Sequence, residues 1–405
     1  MDAIDFGNTV AALRKKCGLT QQQLADKLNV SNKTVSRWEN GLGYPEVPQF
    51  PILAEIFGVT VDFLMAGKRS GITVVGNIIT DAVKNIDCYP EVGMLANISN
   101  VSIAVGGCVP NTAIDLAKID RKMPVSAIGR IGNDDYGRFI LSQFERYGVN
   151  SDKVKISSGV PTSFCDVMSL SSGDRTFFHN RGANAEFSPR DVDLSALNCV
   201  IMHFGYLLLL DAFDKQDDEY GTVLARFLCE VQKQGIKTSI DVVSNSSADY
   251  KATIVPPLKY CNYAFMNEIE SCRITGLNPR NEDGTPNVEN IKKTMLYMAE
   301  CGVKDKIIIH CKELGFCYDV KSETFTVEPS LTIPKSVIKG SVGAGDAFCA
   351  GSLYGIYNNY SDSEMLTFAA AAAASSLFEE NSTDGIMDSE GIFKLIEKYG
   401  GKSND

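Results

Sequence analysis

The sequence contains no long apolar run, few histidines and no closely spaced pair of cysteines. No apolar stretch approaches the roughly 18 residues that cross a membrane. The first five residues are acidic and lack the basic start and apolar core of a secretion signal. Of the 405 residues, 44% are hydrophobic and 22% are charged, as in globular proteins, and this length suffices for two or three domains. We therefore expect a cytoplasmic protein without membrane contact.

The twelve cysteines occur singly, without any Cys-x-x-Cys pair, and the three histidines have no metal-ligand spacing. This pattern favours reduced, mostly buried thiols, with disulfides or a zinc site as the less favoured alternatives. The sequence predicts no direct protein ligand for a metal ion. The net charge of −11 argues against a chain that coats nucleic acid along its whole length, although a local basic patch remains compatible with it.

The spacing of apolar residues changes near residue 70. Before this point, apolar side chains recur at the spacing of short amphipathic helices, and after it short strand-like runs alternate with helix-like stretches. The polar, glycine-containing stretch 66–71 separates the two patterns. We predict an all-α domain over residues 1–67, a linker over 68–71 and an α/β domain over 72–405.

Residues 19–41 have the pattern of two helices joined by a turn. Thr20 and Gln23 have the spacing of a capping box, and Ser31 suits the N-cap of the second helix. With Val35 and Trp38 on its buried side, the second helix presents polar and basic side chains of the types that read DNA grooves and contact phosphate. These side chains belong to Asn32, Lys33, Ser36 and Arg37.

The segment that ends in Ser36-Arg37-Trp38-Glu39-Asn40-Gly41 resembles the Cro/C1-type helix-turn-helix family, also called the XRE family, over about residues 6–65. The resemblance implies that the helix over 31–40 enters the major groove of double-stranded DNA. It also implies that Gln21 and Gln22 approach the backbone, and that two copies of the chain bind paired half-sites.

Attraction of this domain to DNA phosphates has to come from a local patch. Residues 1–67 contain six Lys/Arg against seven Asp/Glu, a net charge of about −1, so binding would depend on a basic cluster and on dimerisation. The predicted cluster comprises Arg14, Lys15, Lys16, Lys33 and Arg37. A helical interaction module that binds no DNA is the alternative interpretation.

The alternation after residue 72 predicts a parallel sheet covered by helices. The strand-like runs are 72–75, 126–129, 200–204, 238–242, 263–266 and 306–310. Residues 162–170 and 175–180 flank the turn Ser171-Ser172-Gly173-Asp174 and predict a hairpin. With residues 101–105, this hairpin predicts a small second sheet over one end of the domain.

The most informative motif is Gly343-Ala344-Gly345-Asp346, followed by a run of small apolar residues. Two glycines allow a tight bend in which several N–H groups point at one place, at the positive end of the predicted helix. Such an anion cradle beside a carboxylate suits phosphoryl transfer to a hydroxyl. With an ordinary pKa of about 3.9, Asp346 would be ionised at neutral pH. A plain helix-end carboxylate is the structural alternative.

Three further segments support nucleotide or sugar chemistry. Gly106-Gly107-Cys108-Val109-Pro110-Asn111 opens a predicted helix and allows close backbone approach to a ligand. A glycine-rich loop over 129–137 follows a predicted strand. Asn267 and Glu270 are three residues apart at a helix start, on one face. Each segment alone is compatible with an ordinary turn or cap.

The order and spacing of these pieces resemble the PfkB carbohydrate kinases, the ribokinase-like family, over about residues 72–400. The resemblance implies a three-layer α/β/α domain with a small β lid, here preceded by the all-α helix-turn-helix domain. It implies that Asp346 is the catalytic base and that the N–H groups of Gly343, Ala344 and Gly345 form the anion hole. It assigns substrate binding to Asp81, Gly106, Gly107, Asn111 and Arg175. It associates the nucleotide and Mg²⁺ with Asn267, Glu270, Gly315 and Asn381.

ATP and Mg²⁺ are the cofactors that the resemblance implies. The chain has Gly340 and Ser341 where the family usually has Asp-Thr, so the use of a monovalent cation stays open. Other chemistries lack their motifs, since the sequence contains no Gly-x-x-x-x-Gly-Lys-Ser/Thr loop and no Gly-x-Ser-x-Gly elbow.

We expect ATP-dependent transfer of a phosphoryl group to a hydroxyl of a small sugar or nucleoside. Lys84 is the only basic residue of residues 72–111, which favours an uncharged acceptor. The DNA-binding domain suggests a homodimer linked to transcription regulation. The alternative is a catalytically inactive, sugar-sensing transcriptional regulator.

Overall fold

The computed structural model describes residues 3–66, 69–171, 174–244 and 250–400. The chain divides into two compact units, one of Met1–Gly71 with Asp193–Val200 and the other of Ile72–Val192 with Ile201–Asp405. The predicted linker begins at Lys68, which lies outside the described residues, and the predicted boundaries at 67 and 72 stay predictions. Within the described ranges, no helix is long and apolar enough to cross a membrane.

The first unit is built of short helices. They are α1 (Ala3–Lys16), α2 (Gln21–Leu28), α3 (Asn32–Glu39), α4 (Gln49–Phe57) and α5 (Val61–Ala66). The apolar faces expected from the sequence meet in one core, where Phe6, Val10, Leu24, Val35 and Trp38 are at most 4% exposed. Burial of these side chains supplies the main stabilisation of helices that are too short to persist alone.

The predicted caps fix the turn between α2 and α3. Thr20 Oγ1 accepts a hydrogen bond from the Gln23 N–H at 3.1 Å, and Gln23 Oε1 accepts one from the Thr20 N–H at 2.8 Å. Ser31 Oγ accepts from the Thr34 N–H at 3.1 Å. Between the helices, Asn29 has the left-handed conformation, with φ 53°. The capping box and the second N-cap are thus confirmed.

The strands that the structure describes all lie in the second unit. Its strands are β1 (Ile72–Gly76), β2 (Ile79–Ile86), β3 (Ile98–Gly106), β4 (Val125–Ile128), β5 (Arg130–Gly132), β6 (Lys155–Ser157), β7 (Phe164–Ser169), β8 (Arg175–Asn180), β9 (Ile201–Leu207), β10 (Gln216–Asp217), β11 (Gly221–Thr222), β12 (Lys237–Val242), β13 (Tyr263–Asn267), β14 (Lys306–His310), β15 (Leu314–Asp319) and β16 (Thr324–Pro329).

An eight-stranded sheet has the order β16-β15-β14-β13-β12-β9-β1-β4. Neighbours from β14 to β4 pair in parallel, while β14–β15 and β15–β16 pair antiparallel. Helices pack against this sheet, as a buried, mainly parallel sheet requires. The helices described in this unit are α6 (Cys108–Ile119), α7 (Asp135–Tyr147), α8 (Val223–Lys233), α9 (Tyr250–Leu258), α10 (Glu268–Thr275), α11 (Val288–Glu300), α12 (Ala344–Tyr357), α13 (Asp362–Ser376) and α14 (Ser389–Tyr399). The main contacts with the sheet are made by α6, α8, α10, α11 and α13.

A smaller sheet has the order β3-β2-β7-β8. Its β7 and β8 form the predicted antiparallel hairpin, from Phe164 opposite Asn180 to Ser169 opposite Arg175. The predicted turn includes Ser172 and Gly173, which lie outside the described residues. The predicted architecture, an α/β domain with a mainly parallel sheet and a small second sheet, preceded by a helical domain, is confirmed.

Candidate active site and DNA-binding surface

The glycine motif forms a bend at the start of α12. Gly343 precedes the helix with φ +80°, and a Cβ at this position would lie 2.5 Å from the Cβ of Ser382. Glycine is therefore needed both for the backbone conformation and for space. Gly343, Ala344 and Gly345 line a cavity of about 250 Å³. Because the first N–H groups of a helix have no partner within it, this wall suits an anion.

Asp346 lies on the first turn of α12, in the wall of the same cavity, and is only 6% exposed. Its Oδ2 accepts two hydrogen bonds, from Asn111 Nδ2 at 2.8 Å and from the Tyr206 hydroxyl at 2.9 Å. Two donors on one oxygen hold the carboxyl in a single orientation. The structure thus brings the predicted Asp346 and Asn111 together, although 235 residues separate them in the sequence.

The titration of Asp346 differs from the expectation for an ordinary carboxylate. Burial raises its pKa to about 7, the Asp241 carboxylate adds to the rise, and the hydrogen bonds from Asn111 and Tyr206 oppose it. The expectation that Asp346 is fully ionised at neutral pH is therefore wrong. Near pH 7 the carboxyl is divided between its charged and neutral forms, which suits a group that takes up a proton and releases it again.

Sequence reasoning did not identify Tyr206, which lies in β9 and contacts the carboxyl of Asp346. Its φ of +58° is unusual for a residue with a side chain, and its N–H donates to Asp241 Oδ1 at 2.5 Å. These constraints direct the phenol into the cavity. The sequence offers no local signal for it, because the contact depends on how β9 meets α12.

A larger cleft of about 890 Å³ is lined by β2, β3, β7 and β8 of the smaller sheet and by residues near 339–342 and 379–382. The predicted Asp81 and Arg175 both line it. A Cβ at Gly106 would lie 2.3 Å from Asp81 Oδ2, so glycine makes room for this carboxylate. Burial raises the pKa of Asp81 to about 7, and the positive charge of Arg175 opposes the rise.

A chain of hydrogen bonds connects the two cavities. Ser382 Oγ, in the wall of the larger cleft, donates to Asn111 Oδ1 at 2.7 Å, and Asn111 Nδ2 donates to Asp346. The helix that carries Asn111 follows Gly107, which has φ +81° and leaves no room for a Cβ beside the Asn77 carbonyl, 2.7 Å away. Asn111 thus links residues of the two cavities through hydrogen bonds, whereas the predicted residues Gly106, Gly107 and Asn111 themselves line neither cavity within the described ranges.

Asn267 and Glu270 line the smaller cavity but bond to each other. Asn267 Oδ1 accepts from the Glu270 N–H at 2.8 Å, and Glu270 Oε2 accepts from the Asn267 N–H at 3.0 Å, a capping box at the start of α10. Ser244 Oγ donates to Glu270 Oε1 at 2.7 Å. Burial raises the pKa of Glu270 to about 7. The pair has a structural role as a helix cap, and its association with the nucleotide and Mg²⁺ stays a prediction.

Asn381 and Gly315, the other two residues that the sequence associates with the nucleotide, lie in different places. Asn381 lines the larger cleft, and its Oδ1 accepts from the Asp384 N–H at 2.8 Å in a tight turn. Gly315 lies in β15, where a Cβ would be 3.2 Å from the Phe348 ring. Within the described ranges, Gly315 lines neither of the two cavities.

The predicted DNA-reading side chains lie on the outer side of α3. Asn32, Lys33 and Arg37 are exposed, and Ser36 is partly exposed. At the start of α2, Gln22 is exposed and donates to Asp26 Oδ1 at 2.7 Å, whereas Gln21 donates to Glu39 Oε2 at 2.7 Å. The surface of α3 is thus available to a ligand, and Gln21 and Gln22 are the first two residues of α2.

Arg14 does not belong to the exposed basic cluster. Its guanidinium is buried against Glu39, with Nε–Oε1 at 2.5 Å and Nη2–Oε2 at 2.9 Å, and it also donates to the Leu19 carbonyl at 2.7 Å. The prediction that Arg14 attracts phosphate is therefore wrong, because this side chain joins α1 to α3. Lys15, Lys16, Lys33 and Arg37 remain exposed.

A glycine bend and a buried carboxyl at the edge of a mainly parallel sheet, beside a cleft under a small second sheet, define a ribokinase-like α/β domain. Residues 70–389 match the family described as pfkB family carbohydrate kinase, and residues 10–64 match the helix-turn-helix family. The chain belongs to the PfkB carbohydrate kinases and carries an N-terminal helix-turn-helix domain.

Individual relatives agree with both parts. Ribokinase from Arabidopsis thaliana is 25% identical over 334 residues, covering 80% of this chain and 81% of its own length. The 5-dehydro-2-deoxygluconokinase of Geobacillus kaustophilus is 22% identical over 73% of this chain and 85% of its own length. The HTH-type transcriptional activator BcrR of Enterococcus faecalis is 38% identical over 66 residues, 16% of this chain and 32% of its own length.

Solved structures share the fold of the second unit. Arabidopsis thaliana ribokinase complexed with ribose and ATP superposes with a TM-score of 0.67 at 23% identity, covering 81% of this chain and 99% of its own. A putative ribokinase II from E. coli in complex with ATP and Mg²⁺ superposes with a TM-score of 0.64 at 16% identity, covering 82% and 100%.

Proposed function

We propose that the second unit is an ATP-dependent carbohydrate kinase that transfers the γ-phosphoryl group to a hydroxyl of a sugar. The observation that carries the proposal is the position of Asp346, on the first turn after the glycine bend and joined through Asn111 to the wall of the larger cleft. A carboxyl with a pKa near 7 can accept the hydroxyl proton at neutral pH. The adjoining N–H groups suit the phosphoryl oxygens.

The chain offers residues for each remaining task. In this proposal Gly343, Ala344 and Gly345 hold the transferred group through backbone N–H groups. The carboxyl of Glu270 and the amide of Asn267, both on the smaller cavity, would hold a hydrated Mg²⁺, which would neutralise phosphate charge when bound. These side chains fit a magnesium site because their ligand atoms are oxygens.

The larger cleft is the proposed sugar site. Asp81 and Arg175 line it together with several hydroxyl and amide side chains, the mixture that polyols require. Lys84 forms an ion pair with Asp166. Arg175 could pair with the carboxylate of a sugar acid. One relative is named for a neutral sugar, ribose, and another for a sugar acid, 5-dehydro-2-deoxygluconate, so these are the first two compounds to compare.

The direct test measures sugar-dependent ADP release by the full chain across neutral sugars, sugar acids and nucleosides, with ATP and Mg²⁺. The kinase proposal requires turnover that saturates with at least one acceptor. Saturable binding without turnover, detected by thermal shift on the same compounds, would instead support the inactive sugar-sensing regulator.

The rate is expected to depend on pH through the buried carboxyls. Because only the charged form of Asp346 accepts a proton, kcat/KM should fall as the pH is lowered through about 7 and level off above it. Asp81 has a pKa near the same pH, so the fall should be steeper than a single titration. Measurement of kcat/KM across about two pH units on either side of 7 checks this. A flat profile would contradict it.

Tyr206→Phe is expected to move this acid limb to higher pH. The variant keeps the ring but removes a hydrogen bond that lowers the pKa of Asp346, so a shift of about one pH unit is expected. The matched control is Tyr318→Phe, because Tyr318 is a buried tyrosine in β15 that lines neither of the two cavities. This variant should leave the profile unchanged. An identical profile for both variants would show that the Tyr206 hydroxyl does not act on Asp346.

We further propose that the first unit binds double-stranded DNA through α3 in a cytoplasmic homodimer, and that the protein links sugar chemistry to transcription regulation. The exposed Asn32, Lys33 and Arg37 and the helix-turn-helix match support this proposal. Selection of duplexes from a random library by the full chain would identify a binding sequence. Failure to enrich any sequence would favour the helical interaction module.

Arg37→Ala is expected to weaken binding to a selected duplex by about tenfold or more. It should also reduce the slope of the logarithm of the binding constant against the logarithm of the salt concentration by about one, the loss of one phosphate contact. The reason is that Arg37 is exposed on α3, where it can reach DNA. Lys27→Ala removes the same charge from an exposed position in the last turn of α2 and is the control. Equal losses in both variants would indicate a charge effect without contact by α3.

A further inference from the structure

Four side chains with metal-binding groups meet in the core beside the smaller cavity. They belong to Cys108, the first residue of α6, His203 on β9, Asp241 on β12 and Cys349 in α12. None is more than 7% exposed. One ligand atom each from Cys108, His203 and Asp241 lie within 4.8 Å of one another, and Cys349 Sγ is 3.6 Å from His203 Nε2. No local sequence motif predicts this group, because its members come from four separate segments of the chain.

The surrounding hydrogen bonds orient two of these groups toward the same place. Ser239 Oγ is 2.8 Å from His203 Nδ1, and the Tyr206 N–H donates to Asp241 Oδ1 at 2.5 Å. The remaining atoms, His203 Nε2 and Asp241 Oδ2, are 3.3 Å apart. Metal-binding histidines are held in this way, with the second ring nitrogen bonded to a neighbouring group.

The two distances from His203 Nε2 match those between ligands of a tetrahedral ion. With bonds of about 2.0 Å to nitrogen or oxygen and about 2.3 Å to sulfur, tetrahedral geometry places nitrogen about 3.3 Å from oxygen and about 3.5 Å from sulfur. The observed separations are 3.3 Å from His203 Nε2 to Asp241 Oδ2 and 3.6 Å from the same nitrogen to Cys349 Sγ. Cys349 Sγ does not lie within 4.8 Å of the ligand atoms of all three other residues, so its side chain has to move toward Cys108 and Asp241 to complete a four-ligand set.

We propose that Cys108, His203, Asp241 and Cys349 bind one divalent ion of the zinc class. Thiolate and imidazole suit such an ion, whereas Mg²⁺ takes oxygen ligands, so this site is distinct from the proposed magnesium site. Coordination replaces the S–H proton of each cysteine, and each thiolate that forms releases one proton to solvent. Asp241 and Cys349 also line the smaller cavity, which gives an ion a way in.

An ion at this place would join α6, β9, β12 and α12. Cys349 follows Asp346 by three residues in α12. Tyr206 connects the group to Asp346, because its N–H donates to Asp241 and its hydroxyl donates to Asp346. A closed site with four protein ligands stabilises the folded state and does not itself react. The ion would thus hold the helix that carries Asp346 against the sheet.

The test uses the full chain with the exposed Cys17 and Cys88 replaced by alanine, which removes accessible thiols. After treatment with a chelator, this parent is titrated with Zn²⁺ and, separately, with Co²⁺. We expect one ion per chain, thiolate-to-cobalt charge-transfer absorption and a higher melting temperature. Cys108→Ala and His203→Gln should weaken binding by more than about 100-fold, and Ser239→Ala by about 10–100-fold.

Cys317→Ala is the matched control, because this buried cysteine in β15 should leave ion binding at the parent level. Circular dichroism establishes that each variant is folded, and if Cys108→Ala does not fold, His203→Gln and Ser239→Ala decide the question. The proposal is overturned if the parent binds no stoichiometric ion, or if His203→Gln binds as tightly as the parent. In either case the four side chains form only a hydrogen-bonded network.

Discussion

Asp346→Asn is expected to lower sugar-dependent ADP formation by about 10²–10⁴-fold. Asparagine has nearly the same shape, and its carbonyl oxygen can still accept from Asn111 and Tyr206, so the wall of the cavity should persist. What is lost is the proton acceptor on the first turn of α12. The loss should appear in kcat, with little change in the affinity for ADP, because the anion cradle is formed by backbone N–H groups.

The control for this change is Asp135→Asn, the same chemical substitution at an exposed position at the start of α7. It should leave the rate unchanged. Thermal stabilisation by ADP would establish that Asp346→Asn still binds nucleotide. A rate within a few-fold of the parent would show that another group accepts the proton, and the assignment of Asp346 would then be abandoned.

The parallel core of the fold could be predicted because each strand is a short apolar run between helix-like stretches. The six predicted runs correspond to β1, β4, β9, β12, β13 and β14, with ends that differ by at most three residues. Sequence reasoning missed β15 and β16. The alternation Thr324-Phe325-Thr326-Val327 was an available strand signal, but antiparallel strands at a sheet edge interrupt the strand–helix rhythm on which the prediction depended.

The candidate site was predictable only where its chemistry is local. The bend at Gly343, the carboxyl of Asp346 and the capping pair at Asn267 are each contained in a few consecutive residues. Tyr206 and Asp241 reach the site through tertiary packing, and the raised pKa of Asp346 comes from burial beside Asp241. The burial of Arg14 could not be predicted for the same reason, because it depends on the tertiary contact with Glu39.

Gly343→Ala is expected to lower the rate by about 10²–10³-fold, the size of effect seen when an oxyanion donor is lost. Alanine is strained at φ +80°, and its Cβ would lie 2.5 Å, 2.7 Å and 2.8 Å from the Cβ, Cα and carbonyl oxygen of Ser382. Backbone atoms cannot move aside cheaply. Ser382 in turn bonds to Asn111, so the displacement would reach the carboxyl of Asp346. Initial rates and the melting temperature should both fall.

Gly345→Ala distinguishes this local clash from a general intolerance of side chains in the motif. A Cβ there would meet only the His310 ring, at 3.5 Å and 3.7 Å, which is ordinary contact, and Gly345 lies inside α12, where alanine favours the helix. Its melting temperature should therefore equal or exceed that of the parent. If instead Gly343→Ala keeps both the parent rate and the parent melting temperature, the bend does not require glycine, and the anion cradle loses its structural basis.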